Sequence, residues 1–394
     1  MEPRHSIAIV VTGALSCLLT GGLAFGFSAL IPSLESAGVF AEDCHEKVPC
    51  RAQHMHMIWV FTAGSAASAL STLPQGILMD FLGPRFCGLT FGTAVALGCA
   101  LFSLGGLWSF AYTIGFVLLA VGGSGVYIGV LGFGNLFPNN AGLVAAIFVG
   151  CFDASVVIFR VLAFLMSLGV PVLTIFQAYA LLSASLAAAA GLLWPTASVD
   201  GRQNHQRREE SGGDGFWSKI RSLDFALFAY TVTVDVVCVN FFLVTVYPRL
   251  RSVVTANEAK MLNSSFAVLL PAGAIPFVPL IGFLIGKLGS TAAHLALNGA
   301  YFILVNMLVA FHFQMPGGSI YIWLAFVLFA LCRPFVYSLA NTLCGEIFGY
   351  HCFGKIYGLV MTLAGLCSLL VKPLAGIALA HGYLTVDCGL LILQ

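Results

Sequence analysis

The chain has 394 residues, of which 59% are hydrophobic and 8% charged, with a formal net charge of +1 and a mean hydropathy of +0.98. Such a balance lies far from that of a soluble domain and specifies a multi-span membrane protein, while a charge of +1 excludes a large nucleic-acid footprint. There is no C-x-x-C pair, no His/Cys cluster with zinc spacing, no H-E-x-x-H and no nucleophile beside a base, so no metal, cofactor or intramembrane enzyme chemistry is expected. A crossing takes about 20 apolar residues. The first covers about residues 6–31, with Gly21, Gly22 and Gly26 as a small-residue face for a close neighbour. It is too long for a signal-peptide core and has no small-residue cleavage site, so it reads as a retained span. A polar loop follows at about 32–54. Its Cys44 and Cys50 would join in a disulfide if the loop faces an oxidising compartment. The other cysteines lie mostly in apolar runs, where they pack as small hydrophobes.

The second to sixth spans are expected at about 55–79, 86–107, 110–131, 141–168 and 171–194. The fourth is glycine-rich, and its Gly125 and Gly129 read as a helix-packing pair. The fifth contains Asp153 and Arg160, and the sixth has no charge. The only long hydrophilic stretch comes next, so 195–224 reads as a linker between a six-helix bundle at 1–194 and a second bundle at 225–394. The second bundle begins with spans at about 225–246, containing Asp235, and about 266–286, bent by Pro271, Pro276 and Pro279. Further spans are expected at about 291–313, at 320–343 with Arg333, and at 353–379. Residues 383–394 are too few to cross, so the twelfth helix is expected to be truncated.

Orientation follows from Lys and Arg. With the N-terminus inside, the inner segments hold nine of these residues and the outer ones five, namely Lys47, Arg51, Arg249, Arg251 and Lys260. The N-terminus and the linker are therefore expected in the cytosol, with the plasma membrane as the default location. Asn263-Ser264-Ser265 is a glycosylation sequon on the outer side.

A charge near the bilayer centre costs roughly 2.5–3.5 kcal/mol even on insertion scales and must face the bundle interior. Asp153, Asp235 and Arg333 are each expected about ten to thirteen residues into their spans, near the midplane at 1.5 Å rise per residue. In the plainer reading, one of the carboxylates pairs with Arg333 and ties helices together. In the functional reading, the three are polar anchors in a central cavity, with Asn135, Ser155 and Tyr337 near them and Phe25 and Gly26 shaping an apolar wall. Such a site would suit a zwitterionic solute, whose carboxylate needs a guanidinium and whose ammonium needs a carboxylate. A third reading makes Asp153 or Asp235 a proton-coupling group.

Gly76-Ile-Leu-Met-Asp80-Phe-Leu-Gly83-Pro-Arg85 closes the second span. Its glycine, aspartate, glycine and arginine resemble in spacing the motif at that place in major facilitator superfamily transporters. Gly282, Gly286, Lys287 and Gly289 form a worn echo, with Gly286 where the aspartate would be. The resemblance implies an all-α major facilitator fold of two six-helix bundles. In it, Gly76 to Arg85 would serve as a conformational latch that does not touch the solute.

Within that superfamily the chain resembles the sodium-independent large neutral amino acid facilitators, whose relatives include a nucleobase facilitator and protozoan amino acid transporters. The likeness rests on Phe353-Gly-Lys-Ile-Tyr-Gly-Leu-Val-Met361, on Gly134-Asn-Leu-Phe137 with Gly150, Phe152, Asp153 and Ser155, and on Cys50-Arg-Ala-Gln53. Arg333, Phe335, Tyr337 and Phe25-Gly26 add to it. Ala141 and Val149 depart from the family pattern, where a basic and a polar residue are expected. The resemblance implies a uniporter for a bulky neutral amino acid, partnered by a small-molecule solute and the lipid bilayer. A purine nucleobase or cationic amino acid carrier of the same fold is the alternative, and a non-transporting membrane sensor or scaffold is the alternative class.

Overall fold

Backbone N–H and C=O groups cannot be left open in hydrocarbon, so long apolar runs fold as helices. A computed structural model of the protein describes residues 3–44, 50–137, 141–196, 215–315, 318–349 and 352–394. Among them there is no strand. The helices in chain order are α1 Pro3–Ser16, α2 Phe27–Ser36, α3 Arg51–Ser103, α4 Phe110–Leu131, α5 Ala141–Ala154, α6 Val157–Ser167, α7 Val172–Leu193 and α8 Gly215–Ile220. They continue as α9 Leu223–Arg251, α10 Ala256–Leu288, α11 Ser290–His312, α12 Gly318–Phe348, α13 Phe353–Cys367, α14 Val371–His381 and α15 Tyr383–Leu393.

Eight of the described helical stretches are long and apolar enough to cross a membrane, and counting two bent pairs as spans makes ten. The longest, Met55–Gly106, is broken at Gly83, where φ is 81° and ψ 173°, and so contains both the second and the third expected span. One bent pair, Ile7–Gly21 and Leu23–Ser36, is the first span; the other, Ala256–Gly273 and Pro276–Leu288, is the eighth, bent among its prolines. Helices α13 and α14 together make the eleventh, Phe353–His381. Residues 383–394 contain a short apolar helix, α15.

Two compact units result. The first comprises Met1–Leu136, Cys151–His205 and Phe353–Gly358, and the second Phe137–Gly150, Gln206–Cys352 and Leu359–Gln394. Each unit thus contains a short piece from the other half of the sequence. The core of the first is aromatic: Phe27 lies 4.3 Å from Phe116, and Phe102 lies 4.3 Å from Phe176, ring centre to ring centre. In the second, Phe242 stacks on Phe329 at 4.2 Å, and Phe266 meets Phe326 at 4.7 Å. Such pairs contribute about 0.5–1.5 kcal/mol each beyond burial.

One sequence-based boundary moves with consequence. The seventh span was expected to end near residue 246, leaving Arg249 in an outer loop, but α9 continues to Arg251 and Arg249 is buried. A buried guanidinium needs a partner, and the chain supplies one in α15.

Candidate functional site

In the first unit, two helices break side by side. Between α1 and α2 the backbone passes through a wide turn, Cys17–Gly21, and a tight one, Leu23–Gly26. Between α5 and α6 it turns at Ser155 and Val156. The Ser155 hydroxyl accepts a hydrogen bond from the Gly22 N–H at 2.8 Å and donates to the Phe152 carbonyl at 2.6 Å. It thereby satisfies a backbone donor that the broken helix leaves open, as buried membrane backbone requires. Side chains are excluded where the breaks meet: a Cβ on Gly22 would collide with the Phe152 carbonyl, and one on Gly26 with the Val156 carbonyl.

This arrangement gathers several of the residues singled out from the sequence. Phe25 is 46% exposed, with its ring 5.9 Å from that of Phe152. Asp153 is buried and close enough to Cys17 and Tyr127 to act on both electrostatically. Phe25, Gly26, Asp153 and Ser155 therefore share one locality. Asn135 falls in the short turn Gly132–Leu136, and its side chain lies outside the described residues.

Asp235, Arg333 and Tyr337 belong to the second unit. Arg333 is buried in the middle of α12, next to Pro334, and Tyr337 lies half-buried one turn further on. Asp235 is engaged elsewhere. Its Oδ1 accepts a hydrogen bond from the Gln394 side-chain amide at 3.1 Å, and its Oδ2 lies 3.9 Å from His294 Nδ1. Among the described residues His294, not Arg333, is its ion-pairing neighbour.

Sequence reasoning missed a second charged contact in this unit. Arg249 donates through both terminal nitrogens to Asp387 of α15, Nη1 to Oδ2 and Nη2 to Oδ1, the latter at 3.0 Å. Its guanidinium also faces the rings of Tyr383 and Phe242, at 5.2 and 5.9 Å from their centres. The available signal was a carboxylate, Asp387, inside an otherwise apolar run near the end of the sequence.

The residues from Gly76 to Arg85 make a set of contacts around the second span's end. Asp80 accepts hydrogen bonds from the backbone N–H groups of Gly354, at 2.7 Å, and Lys355, at 2.8 Å, in the first turn of α13. A carboxylate there satisfies donors that a helix start leaves open and complements the positive end of the helix dipole. Gly76 and Gly354 bring the two backbones together, because a Cβ on either would strike the carbonyl of the other. Gly83 turns the chain with a positive φ that other residues resist. Arg85 donates to the carbonyls of Trp194, at 2.8 Å, and Leu192, at 3.0 Å, closing the C-terminal end of α7. Lys355 Nζ sits 4.4 Å from the centre of the Phe81 ring.

The echo in the second half occupies the corresponding place in the second unit. Gly289 has φ 75° between α10 and α11, and a Cβ on Gly282 would come within 2.9 Å of Leu143 in the first turn of α5. Among the described residues, nothing lies within 4 Å of a Cβ placed on Gly286, the position that takes the aspartate's place. Lys287 stands in the last turn of α10.

Cys44 and Cys50 are joined in a disulfide, with Cα atoms 5.8 Å apart. Beside it, Gln53 is fully buried and donates to the carbonyls of Glu35, at 3.2 Å, and Val39, at 2.7 Å, holding the end of α2 against the start of α3.

Comparison with known proteins agrees with this architecture. The family model described as "Major Facilitator Superfamily" matches residues 11–371. "Protein FMP42" of Saccharomyces cerevisiae is 25% identical, over 92% of this chain and 86% of its own length. The "Aromatic and large neutral amino acid transporter 5-3" of Toxoplasma gondii is 23% identical, over 98% of this chain and 80% of its own. "Equilibrative nucleobase transporter 1" of Bos taurus is 24% identical, over 93% of this chain and 88% of its own. Among solved structures, the proton:xylose symporter XylE superposes with a TM-score of 0.73 over 100% of this chain and 95% of that one, at 13% identity, a likeness of fold.

Proposed function

The chain belongs to the Major Facilitator Superfamily, and we propose that it carries large neutral amino acids across the membrane by alternating access, without sodium. The observation that carries this reading is the paired helix break at Gly22 and Ser155, with Asp153 beside it. Broken helices are where transporters of this general design expose backbone dipoles to a solute. Asp153 offers a carboxylate to an ammonium group, and Phe25 and Gly26 form apolar and backbone surface next to it. Arg333 and Tyr337 are proposed as the partners of the solute's carboxylate, and Asn135 as a further polar group on the path. Gly76, Asp80, Gly83 and Arg85 are proposed as the latch that one conformation closes and the other releases. The Toxoplasma gondii relative, named for aromatic and large neutral amino acids, supports the choice of solute. The plasma membrane, with the N-terminus and linker in the cytosol, is the proposed setting.

The test is counterflow in liposomes containing the purified protein. Radiolabelled L-leucine, L-phenylalanine, L-lysine and adenine are each supplied with and without a sodium gradient. Leucine and phenylalanine should exchange at a rate indifferent to sodium. Asp153→Asn should lower that rate by about 10- to 100-fold, the equivalent of one charge-assisted contact. Adenine exchange alone would favour a nucleobase carrier, the reading supported by the Bos taurus relative. Solute binding without exchange would overturn transport altogether.

A further inference from the structure

Asp235 is an unusual carboxylate. It is 4% exposed inside α9, and its hydrogen-bond partner is the neutral amide of Gln394. No lysine or arginine pairs with it among the described residues; the nearest base is the imidazole of His294, on α11, at 3.9 Å. The His294 side chain is 21% exposed, so the ring reaches from the buried carboxylate towards accessible surface. Its Nδ1, which faces Asp235, makes no hydrogen bond among the described residues, and its other nitrogen lies 3.5 Å from the amide of Asn298.

The other titratable groups nearby are weak acids. Cys238 lies on the same helix as Asp235, Tyr301 comes from α11 and Cys332 from α12, and each feels the charge of Asp235. Tyr337, also on α12, acts on Tyr301 electrostatically. From α15, Asp387 acts on Cys238, but it is already paired with Arg249. Arg333 follows Cys332 on α12 and makes no ion pair with Asp235 among the described residues. Among the described residues, then, no lysine or arginine pairs with the carboxylate, and the neighbouring positive charge is the one a proton creates on His294.

A buried anion without a cation is costly, and so is a buried imidazolium without an anion. One proton shared by Asp235 and His294 removes both penalties, whether it resides on the carboxylate or on the ring. Gain of a second proton leaves a buried cation, and loss of the first leaves a buried anion. The two groups then titrate as a pair rather than as independent residues. A cavity of about 30 Å³, large enough for about one water, is lined by Cys238, Tyr301, Asp387 and Gln394, the residue whose amide holds Asp235.

We infer that Asp235 and His294 form a proton-binding site in the second unit, holding one exchangeable proton between them, through which the carrier responds to pH. The site stands on the geometry of that unit and not on the identity of the solute. It also gives Asp235 a role apart from solute contact.

The test needs no solute. Infrared difference spectra of the purified full chain in lipid nanodiscs are recorded between about pH 5 and pH 8, the range in which a histidine-linked site titrates. The wild type should show a protonated-carboxyl band that grows as the pH is lowered through this interval and is missing from Asp235→Asn. His294→Gln should keep the band but move its midpoint by about one pH unit or more. Asp235→Glu, which retains the acid, should carry the band to a new frequency and serves in place of Asp235→Asn if that variant does not fold. The same titrating bands in the wild type and Asp235→Asn, or no change of frequency in Asp235→Glu, would overturn the inference. So would an unmoved midpoint in His294→Gln. Failure of leucine counterflow leaves these outcomes untouched.

Discussion

Arg249 and Asp387, 138 residues apart in the chain, meet in a two-pronged ion pair that fastens α15 to the C-terminal end of α9. Both are buried, at 3% and 8% exposure, and the aromatic rings of Phe242 and Tyr383 flank the guanidinium. Removing one partner strands the other charge in an apolar setting, which costs about 3–5 kcal/mol. Asp387→Asn and Arg249→Gln should therefore each lower thermal stability sharply. The double variant Arg249→Met/Asp387→Leu should recover most of the loss, because an apolar pair fills the same space without desolvating charge. Melting of the four proteins in one detergent checks this; a double variant as unstable as the sum of the two singles would mean the residues do not act on each other.

Asp80 holds the first turn of α13 through two backbone N–H groups. Losing a charged cap of this kind costs about 1–2 kcal/mol. Asp80→Asn is expected to fold, to exchange the amide hydrogens of Gly354 and Lys355 about tenfold faster, and to transport more slowly. Gly354→Ala should be worse, since the new methyl group meets the Gly76 carbonyl. Hydrogen exchange read by mass spectrometry over the start of α13 distinguishes a loosened contact from general unfolding.

Ser155 is expected to behave as a backbone brace. Ser155→Ala leaves the Gly22 N–H without its acceptor, a loss of about 1–3 kcal/mol for a buried donor. Ser155→Cys keeps a weak acceptor and should fall between the two. Thermal melting gives the order; an alanine variant as stable as the wild type would rule the brace out.

The Cys44–Cys50 disulfide closes a small loop, with a sequence separation of 6. A loop of this size contributes about 2 kcal/mol in the chain-entropy account. In intact cells both thiols should resist maleimide until a membrane-impermeant reductant is added, and should then label from outside. Labelling without reduction would show the bond unformed, and labelling only after permeabilisation would place the loop on the other side of the membrane.

The succession of crossings was legible in the sequence because hydropathy is a local property. A run of about 20 apolar residues must form a helix in lipid whatever its neighbours are. The turn at Gly83 was legible for a similar reason, since its glycine acts on its own backbone. Which backbone N–H of another segment Ser155 braces, which charge Arg249 meets and which base stands beside Asp235 depended instead on neighbours distant in the chain. Asp235 and Arg333 look like natural partners when only charge and depth are counted, yet the helix packing puts His294 beside the carboxylate. Residue type alone thus determined that this is a many-helix membrane chain with ionisable groups inside it. Tertiary structure decided the partners of those groups, because an ion pair needs two side chains within about 4 Å and sequence spacing says nothing of that distance across helices.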